Sequence, residues 1–232
     1  GDAKDKLVRL GVVLDQIIEE MQLDAIALRC WLEMQKQLGI SPCVLLGELN
    51  NRGIAAACEV DIGNAIAMHA LRLATYSPAM CLDWNNNYGD DDDKCILFHC
   101  GPVAPSLMAA PGTIADHAIL ANAVGDGKGF GCNVGRIGTG PFTFASMTTS
   151  NGTLRFYLGE GTFTQDPVPS DFFGCAGVAE IPHLQDVLLH VGRYGYRHHV
   201  SAAFGSVAEP LREALENYLG FYAAMPQEVV AC

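Results

Sequence analysis

The chain has 232 residues, half of them apolar, 17% charged and 8% aromatic, a composition that excludes disorder, collagen and coiled coil as the main reading. Its 14 basic and 26 acidic residues leave a formal charge of −12. A surface that acidic repels phosphate backbones, so no nucleic-acid partner is expected. No apolar stretch approaches the roughly 20 residues that cross a bilayer. The most apolar region, 95–124, is cut by Pro102, Pro105 and Pro111, and no membrane partner is expected.

In chain order, residues 4–21 space Leu7, Leu10, Val13, Leu14, Ile17, Ile18 and Met21 at steps of three and four, which predicts a helix with one apolar face. Residues 23–28 read as a short buried strand. A helix over 31–38 ends at Gly39, and Ser41-Pro42 opens the next with Ser as cap and Pro in the first turn. Residues 55–60 read as a strand, 61–75 as a helix capped by Asp61, and 79–83 as the next strand. Strands alternating with helices imply parallel crossovers and an α/β layer. After Tyr88 the texture changes. Asp90 to Asp93 form an acidic run read as a solvated loop, because its spacing fits no EF-hand. Ten of the 37 residues from Gly125 to Gly161 are glycine. Within that stretch, Phe142–Ala145 and Leu154–Leu158 flank Asn151-Gly152, a hairpin signal. Further helices are expected near 183–191 and 207–219. The predicted organisation is an α/β portion, residues 1–93, followed by an antiparallel β-barrel-like domain with a few helices, residues 94–232.

Nine cysteines include no CxxC pair, so zinc-ribbon and thioredoxin-like signatures are missing. They read as small buried thiols in a reducing, cytoplasmic compartment. No signal peptide is recognisable at the start. The first residue is Gly1 rather than methionine, and the chain is expected to be a fragment whose upstream part is missing. The glycine-rich stretch matches no phosphate-binding loop.

Four places set a metal-competent group at the end of an apolar run: Glu59, Asp83, His99 and the pair His198-His199. A carboxylate at the end of a buried strand is costly unless paired, protonated or metal-bound. In a parallel α/β sheet those strand ends form the ligand crevice. A helix over 61–75 joining the two carboxylate strands would bring Glu59 and Asp83 to one sheet edge. Each residue also has a plainer reading: helix-dipole partner for Glu59, turn residue for Asp83, core histidine for His99, surface pair for His198-His199. Glu48, Arg136 and Trp84 are lesser candidates for the border of a pocket. His69, His117, His183 and His190 are read as structural.

The set Cys58-Glu59-Val60-Asp61-Ile62-Gly63, then Leu82-Asp83 with its Asp 24 residues beyond Glu59, then His99-Cys100-Gly101, then His198-His199, resembles the carboxyl-terminal half of the L-fucose/L-arabinose isomerase superfamily. The resemblance runs over nearly the whole chain. It implies a divalent metal, usually Mn²⁺, held by Glu59, Asp83 and His199, with His99 resembling a ligand of the arabinose branch. An aspartate at position 83 leans toward the fucose branch. It also implies that residues 1–93 are the C-terminal part of a Rossmann-like domain, that the rest is the family's antiparallel barrel, and that the protein forms a homotrimer or homohexamer.

The chemistry implied is aldose–ketose isomerisation of a small sugar. A cation bound by O1 and O2 polarises the carbonyl and stabilises the enediolate, while Glu59 and Asp83 act as ligands and acid/base pair together. Oxygen-rich ligation with imidazole suits Mn²⁺ or Mg²⁺ better than Zn²⁺. Two alternatives stand beside this. One is a sugar-binding or structural relative that keeps the fold without turnover. The other is a metal-dependent hydrolase or lyase, which would need a separate water-positioning base.

Overall fold

The structure, a computed structural model, describes residues 2–228. The predicted first helix, α1 (Asp2–Met21), buries Leu7 and Leu14 and leaves Val8, Val12, Ile17 and Met21 exposed. After β1 (Ala25–Ala27), α2 (Glu33–Leu38) ends where Gly39, at φ 69°, donates its N–H to the Met34 and Gln35 carbonyls, a glycine stop of the expected kind. Before α3 (Cys43–Asn51) the expected serine cap is not made: Pro42 holds that position, and Ser41 Oγ accepts from Gln35 Nε2 at 3.0 Å instead. β2 (Ala55–Ala57) leads to α4 (Ile62–Thr75). Asp61 caps α4, its Oδ1 accepting the Asn64 N–H at 3.0 Å, as the sequence predicts.

Beyond α4 the chain runs through β3 (Met80–Tyr88), β4 (Asp91–His99), β5 (Thr113–Ala115), α5 (Ala118–Val124) and β6 (Cys132–Arg136). It continues through β7 (Gly140–Ser150), β8 (Thr153–Phe163), β9 (Cys175–Glu180), α6 (Leu184–Tyr194), β10 (His199–Phe204), α7 (Ala208–Glu213) and β11 (Tyr222–Ala224). Six of the strands close an antiparallel barrel in the order β8-β7-β10-β3-β4-β9, with β9 returning to β8. The β7–β8 hairpin turns at Asn151 and Gly152, both at positive φ, as the Asn-Gly signal requires. At the closure a Cβ on Gly161 would lie 2.9 Å from Glu180 O and 2.8 Å from Ile181 Cγ1. Only a glycine lets β8 and β9 approach this closely.

Strand alternation sorts the barrel residues. Met80, Leu82, Phe142, Phe144, Tyr157, Val200 and Ala202 join one core cluster with Leu184, Val187 and Val191 of α6. On the opposite face Cys81, Ala145, Met147 and Ala203 pack against Ala65, Met68 and Leu71 of α4. α4 therefore lies across the barrel wall.

Two further expectations change. The strand at 79–83 is not a parallel neighbour of β2. It is the start of β3, paired antiparallel with β10 and β4. The α/β part within the described residues is the single parallel pair β1–β2, packed with α1, α3 and α4. Local pattern does not distinguish a buried barrel strand from a buried parallel one, because both are apolar runs of similar length. The acidic run is also not all loop: Asp91 to Asp93 open β4, exposed, and residue 94 lies inside a barrel strand. Lys94 meets Asp166 at 3.0 Å.

Candidate metal centre on the barrel wall

Asp83 and His199 are directly opposed in the β3–β10 register. Both project on the barrel face that α4 covers, since Leu82 and Val200 beside them point to the interior cluster. Ser201, two residues on from His199, binds Asn64 O and Oδ1 of α4 at 3.1 and 2.8 Å. This register sets the amino end of α4 against the end of β10. Gly63 permits the approach, because a Cβ there would sit 2.5 Å from both Met147 O and Arg197 Nη1.

The turn between β2 and α4 brings in Glu59. Glu59 and Val60 are both left-handed, at φ 58° each, a costly backbone for non-glycine residues and more so for β-branched Val60. The turn is held by Val60 N–H to Leu28 O at 3.2 Å and Asp61 N–H to Cys58 O at 3.0 Å. Glu59 Oε2 thereby lies 3.9 Å from His199 Nε2, and Asp83 Oδ1 lies 3.5 Å from the same atom. His198 Nε2 is 3.3 Å from Asp83 Oδ1, with its side chain 68% exposed. The His99 ring stands 5.2 Å from the His199 ring, centre to centre. Ligand atoms of Asp83, His99 and His199 all lie within 4.8 Å of one another, as do those of Glu59, His198 and His199. Glu59 and Asp83 each face His199, in two groups that share only that histidine, and they are brought there by a barrel register and a helix lying across it, not by one parallel crossover.

His199 is held for ligation. Its Nδ1 is 2.9 Å from Asp61 Oδ2, and both side chains are buried. Asp61 also accepts from Asn64 Nδ2 at 2.7 Å and forms an ion pair with Arg197, whose Nε lies 3.1 Å from Oδ1. Burial works to raise the Asp61 pKa, but the hydrogen bonds from His199 and Asn64 and the Arg197 charge outweigh it and hold the carboxyl below its ordinary value. An ionised Asp61 accepts a hydrogen bond from His199 Nδ1–H, so the proton stays on Nδ1 and the Nε2 lone pair faces Glu59 and Asp83. That Nε2 is buried with no hydrogen-bond partner among the described residues, and so is His99 Nε2. An unpartnered buried nitrogen is expensive, and a cation would satisfy both. Neighbouring donors around an ion with bonds of about 2.1 Å lie about 3 Å apart, against the 3.5 and 3.9 Å that separate Asp83 Oδ1 and Glu59 Oε2 from His199 Nε2. The residues present fit a hard divalent ion.

His99 is buried, which by itself lowers its pKa. The neighbouring Cys100 sulfur, hydrogen-bonded to His99 Nδ1 at 3.3 Å, and then Asp83 and Glu59 outweigh this and raise it to about 10, so a cation at Nε2 must displace a proton. The group opens into a cleft of about 500 Å³ lined by Glu59, Asp83, Trp84, Asn85, His117 and His198, among others. Trp84 thus borders the cleft as the sequence suggests. Arg136 does not: it lines a separate hollow and donates to Pro169 O at 2.8 Å. Glu48 is a solvent-exposed helix residue, absent from the cleft lining. Sequence reasoning missed the role of Asp61 beyond capping, and it missed His117 and Trp31 in the lining.

Residues 97–225 match the family described as L-fucose isomerase, C-terminal domain. The chain belongs to this family. The sulfoquinovose isomerase of Priestia aryabhattai is 28% identical over 210 residues, covering 90% of this chain and 45% of that protein. The sulfoquinovose isomerase of Clostridium sp. (strain MSTE9) is 27% identical over 211 residues, with the same shares. That of Alkalicoccus urumqiensis is 26% identical over 202 residues, covering 85% and 43%. The chain spans a little under half the length of these curated relatives. The family match takes in His99, His198 and His199 and begins after Glu59 and Asp83. No helix among the described residues is long and apolar enough to cross a membrane.

Proposed function

We propose that this chain is the metal-holding half of an aldose–ketose isomerase, with Glu59, Asp83, His199 and His99 as ligands of a divalent ion, Mn²⁺ by preference. The observation that carries the reading is the buried His199 Nε2: it has no partner among the described residues, it faces Glu59 and Asp83, and its tautomer is set from behind by Asp61. Bound between these donors, the ion supplies a Lewis acid that polarises the sugar carbonyl.

The protein's own groups do the rest. Of the two carboxylates, one removes the proton from C2 of the aldose and returns it to C1, through an enediolate of the sugar. The other moves the hydroxyl proton between O2 and O1. Asp61 and Arg197 stay behind His199 and hold its orientation. Trp84 offers an apolar wall, and Asn85, Asn86 and His198 offer hydrogen bonds to sugar hydroxyls. Sulfoquinovose, the sugar for which the relatives are named, is the first substrate to offer.

The pair β1–β2 is read as the edge of a Rossmann-like layer. Parallel strands are normally covered on both faces and flanked by others, and the exposed Val8, Val12, Ile17 and Met21 of α1 fit a helix with more to pack against. Those same faces suit the trimeric or hexameric assembly that the family resemblance implies. The test is a Mn²⁺-dependent aldose–ketose assay on the full-length protein beside Glu59→Gln and Asp83→Asn. Both variants should lose at least about 10²-fold in kcat, in line with the usual worth of a positioned acid or base. Undiminished turnover in both would end the mechanism.

A further inference from the structure

Five buried thiols gather beside the carboxylate site: Cys30, Cys43, Cys58, Cys100 and Cys132 share one core cluster. They come from five separate stretches of chain, and their sulfurs touch. Cys30 Sγ lies 2.9 Å from Cys58 Sγ, Cys43 Sγ 3.5 Å from Cys100 Sγ, and Cys132 Sγ 3.8 Å from Cys43 Sγ. An imidazole joins them, with His99 Nδ1 3.3 Å from Cys100 Sγ. Ligand atoms of Cys58, His99 and Cys100 all lie within 4.8 Å of one another. Reading the cysteines as small apolar fillers explains their burial. It does not explain why sulfur meets sulfur across five segments, or why a histidine enters the group, since methyl groups would fill the same space.

Soft thiolate donors with an imidazole are the set that selects a d¹⁰ cation. With Zn–S bonds of about 2.3 Å, two sulfurs of a tetrahedral centre lie about 3.8 Å apart. The Cys43–Cys100 and Cys43–Cys132 separations, 3.5 and 3.8 Å, are close to that. We propose that Cys58, Cys100 and His99, completed by Cys43, form a buried site for one thiophilic cation of the Zn²⁺, Cd²⁺ or Cu⁺ class. It is a second centre beside the oxygen-rich one at Glu59, Asp83 and His199 and shares His99 with it, Nδ1 turned to Cys100 and Nε2 left for that centre. Binding involves no electron transfer: each thiol passes its proton to solvent as its sulfur takes the metal. None of its sulfurs belongs to the isomerase reading, and a test read on sulfur ligation stands or falls apart from that reading, His99 being the one group the two centres share.

The test is titration of chelator-treated, full-length protein with Cd²⁺ alone, followed by the ultraviolet sulfur-to-cadmium charge-transfer band, which carboxylate or imidazole ligation does not produce. One equivalent per chain should saturate the band and release protons. Cys58→Ser and Cys100→Ser should each weaken it at least about tenfold, whereas Cys95→Ser, in the barrel core, should leave it unchanged. Absence of the band, or a band of full affinity in the Cys58→Ser/Cys100→Ser double variant, overturns the site. Should the variants fail to fold, X-ray absorption at the cadmium edge of the wild-type complex decides. Two or more sulfurs around the metal sustain the site, and fewer refute it.

Discussion

Replacing Asp61 by asparagine separates its two roles. In the wild type the carboxylate accepts from Asn64 N at 3.0 Å, Asn64 Nδ2 at 2.7 Å and His199 Nδ1 at 2.9 Å, and pairs with the Arg197 charge, whose Nε lies 3.1 Å away. Asparagine caps helices as well as aspartate does, so the start of α4 should survive through the remaining carbonyl oxygen. The new NH₂ group then faces Asn64 Nδ2 and His199 Nδ1, donor against donor. Leaving one buried donor unmet costs about 1–3 kcal/mol, which for a chain of this size lowers Tm by about 2–12 °C. The imidazole can relieve the clash by accepting at Nδ1, and the proton then moves to Nε2, the atom that faces Glu59 and Asp83. Loss of such an orienting partner typically costs about 10–100-fold in metal affinity, or about 1.4–2.7 kcal/mol. Mn²⁺ binding followed by electron paramagnetic resonance, alongside thermal unfolding monitored by circular dichroism, reads both effects. A lowered Tm with Mn²⁺ affinity unchanged would refute the orienting role and leave Asp61 as a cap alone.

Phe144→Ala should cost about 3–5 kcal/mol, because the ring is fully buried and packs edge-on against Trp84 at 5.6 Å; chemical denaturation measures it, and a loss under about 1 kcal/mol would contradict a close-packed barrel core. Gly63→Ala should destabilise by more than about 1 kcal/mol, since the added methyl meets Met147 O and Arg197; neutrality would mean that α4 stands further from β7 and β10. Burial pushes the Cys95 and Cys175 thiols up to about 12, so at pH 8 roughly one in ten thousand is thiolate. Iodoacetamide mapping by mass spectrometry should find both unmodified until the protein is unfolded. Alkylation of the native protein at a free-thiol rate would rule out their burial.

What the residues alone determined is local. The period of three and four in residues 4–21, the glycine stop at Gly39, the Asp61 cap and the Asn151-Gly152 turn each act within one turn of chain, and each is found where the sequence predicts it. The chemical identity of the candidate centre was legible too. Carboxylates and imidazoles at the ends of apolar runs are expensive to bury without a partner, and the fold sets Asp83 and His99 near His199 in one group and Glu59 near it in another. Which sheet receives residues 80–88 was decided only in three dimensions. A buried strand reads the same whether its partner is parallel or antiparallel, and the β10 register that opposes His199 to Asp83 pairs residues more than a hundred positions apart. The second duty of Asp61 was hidden for the same reason: a side chain has one sequence neighbourhood but several spatial ones, and the imidazole it steadies arrives 138 residues later.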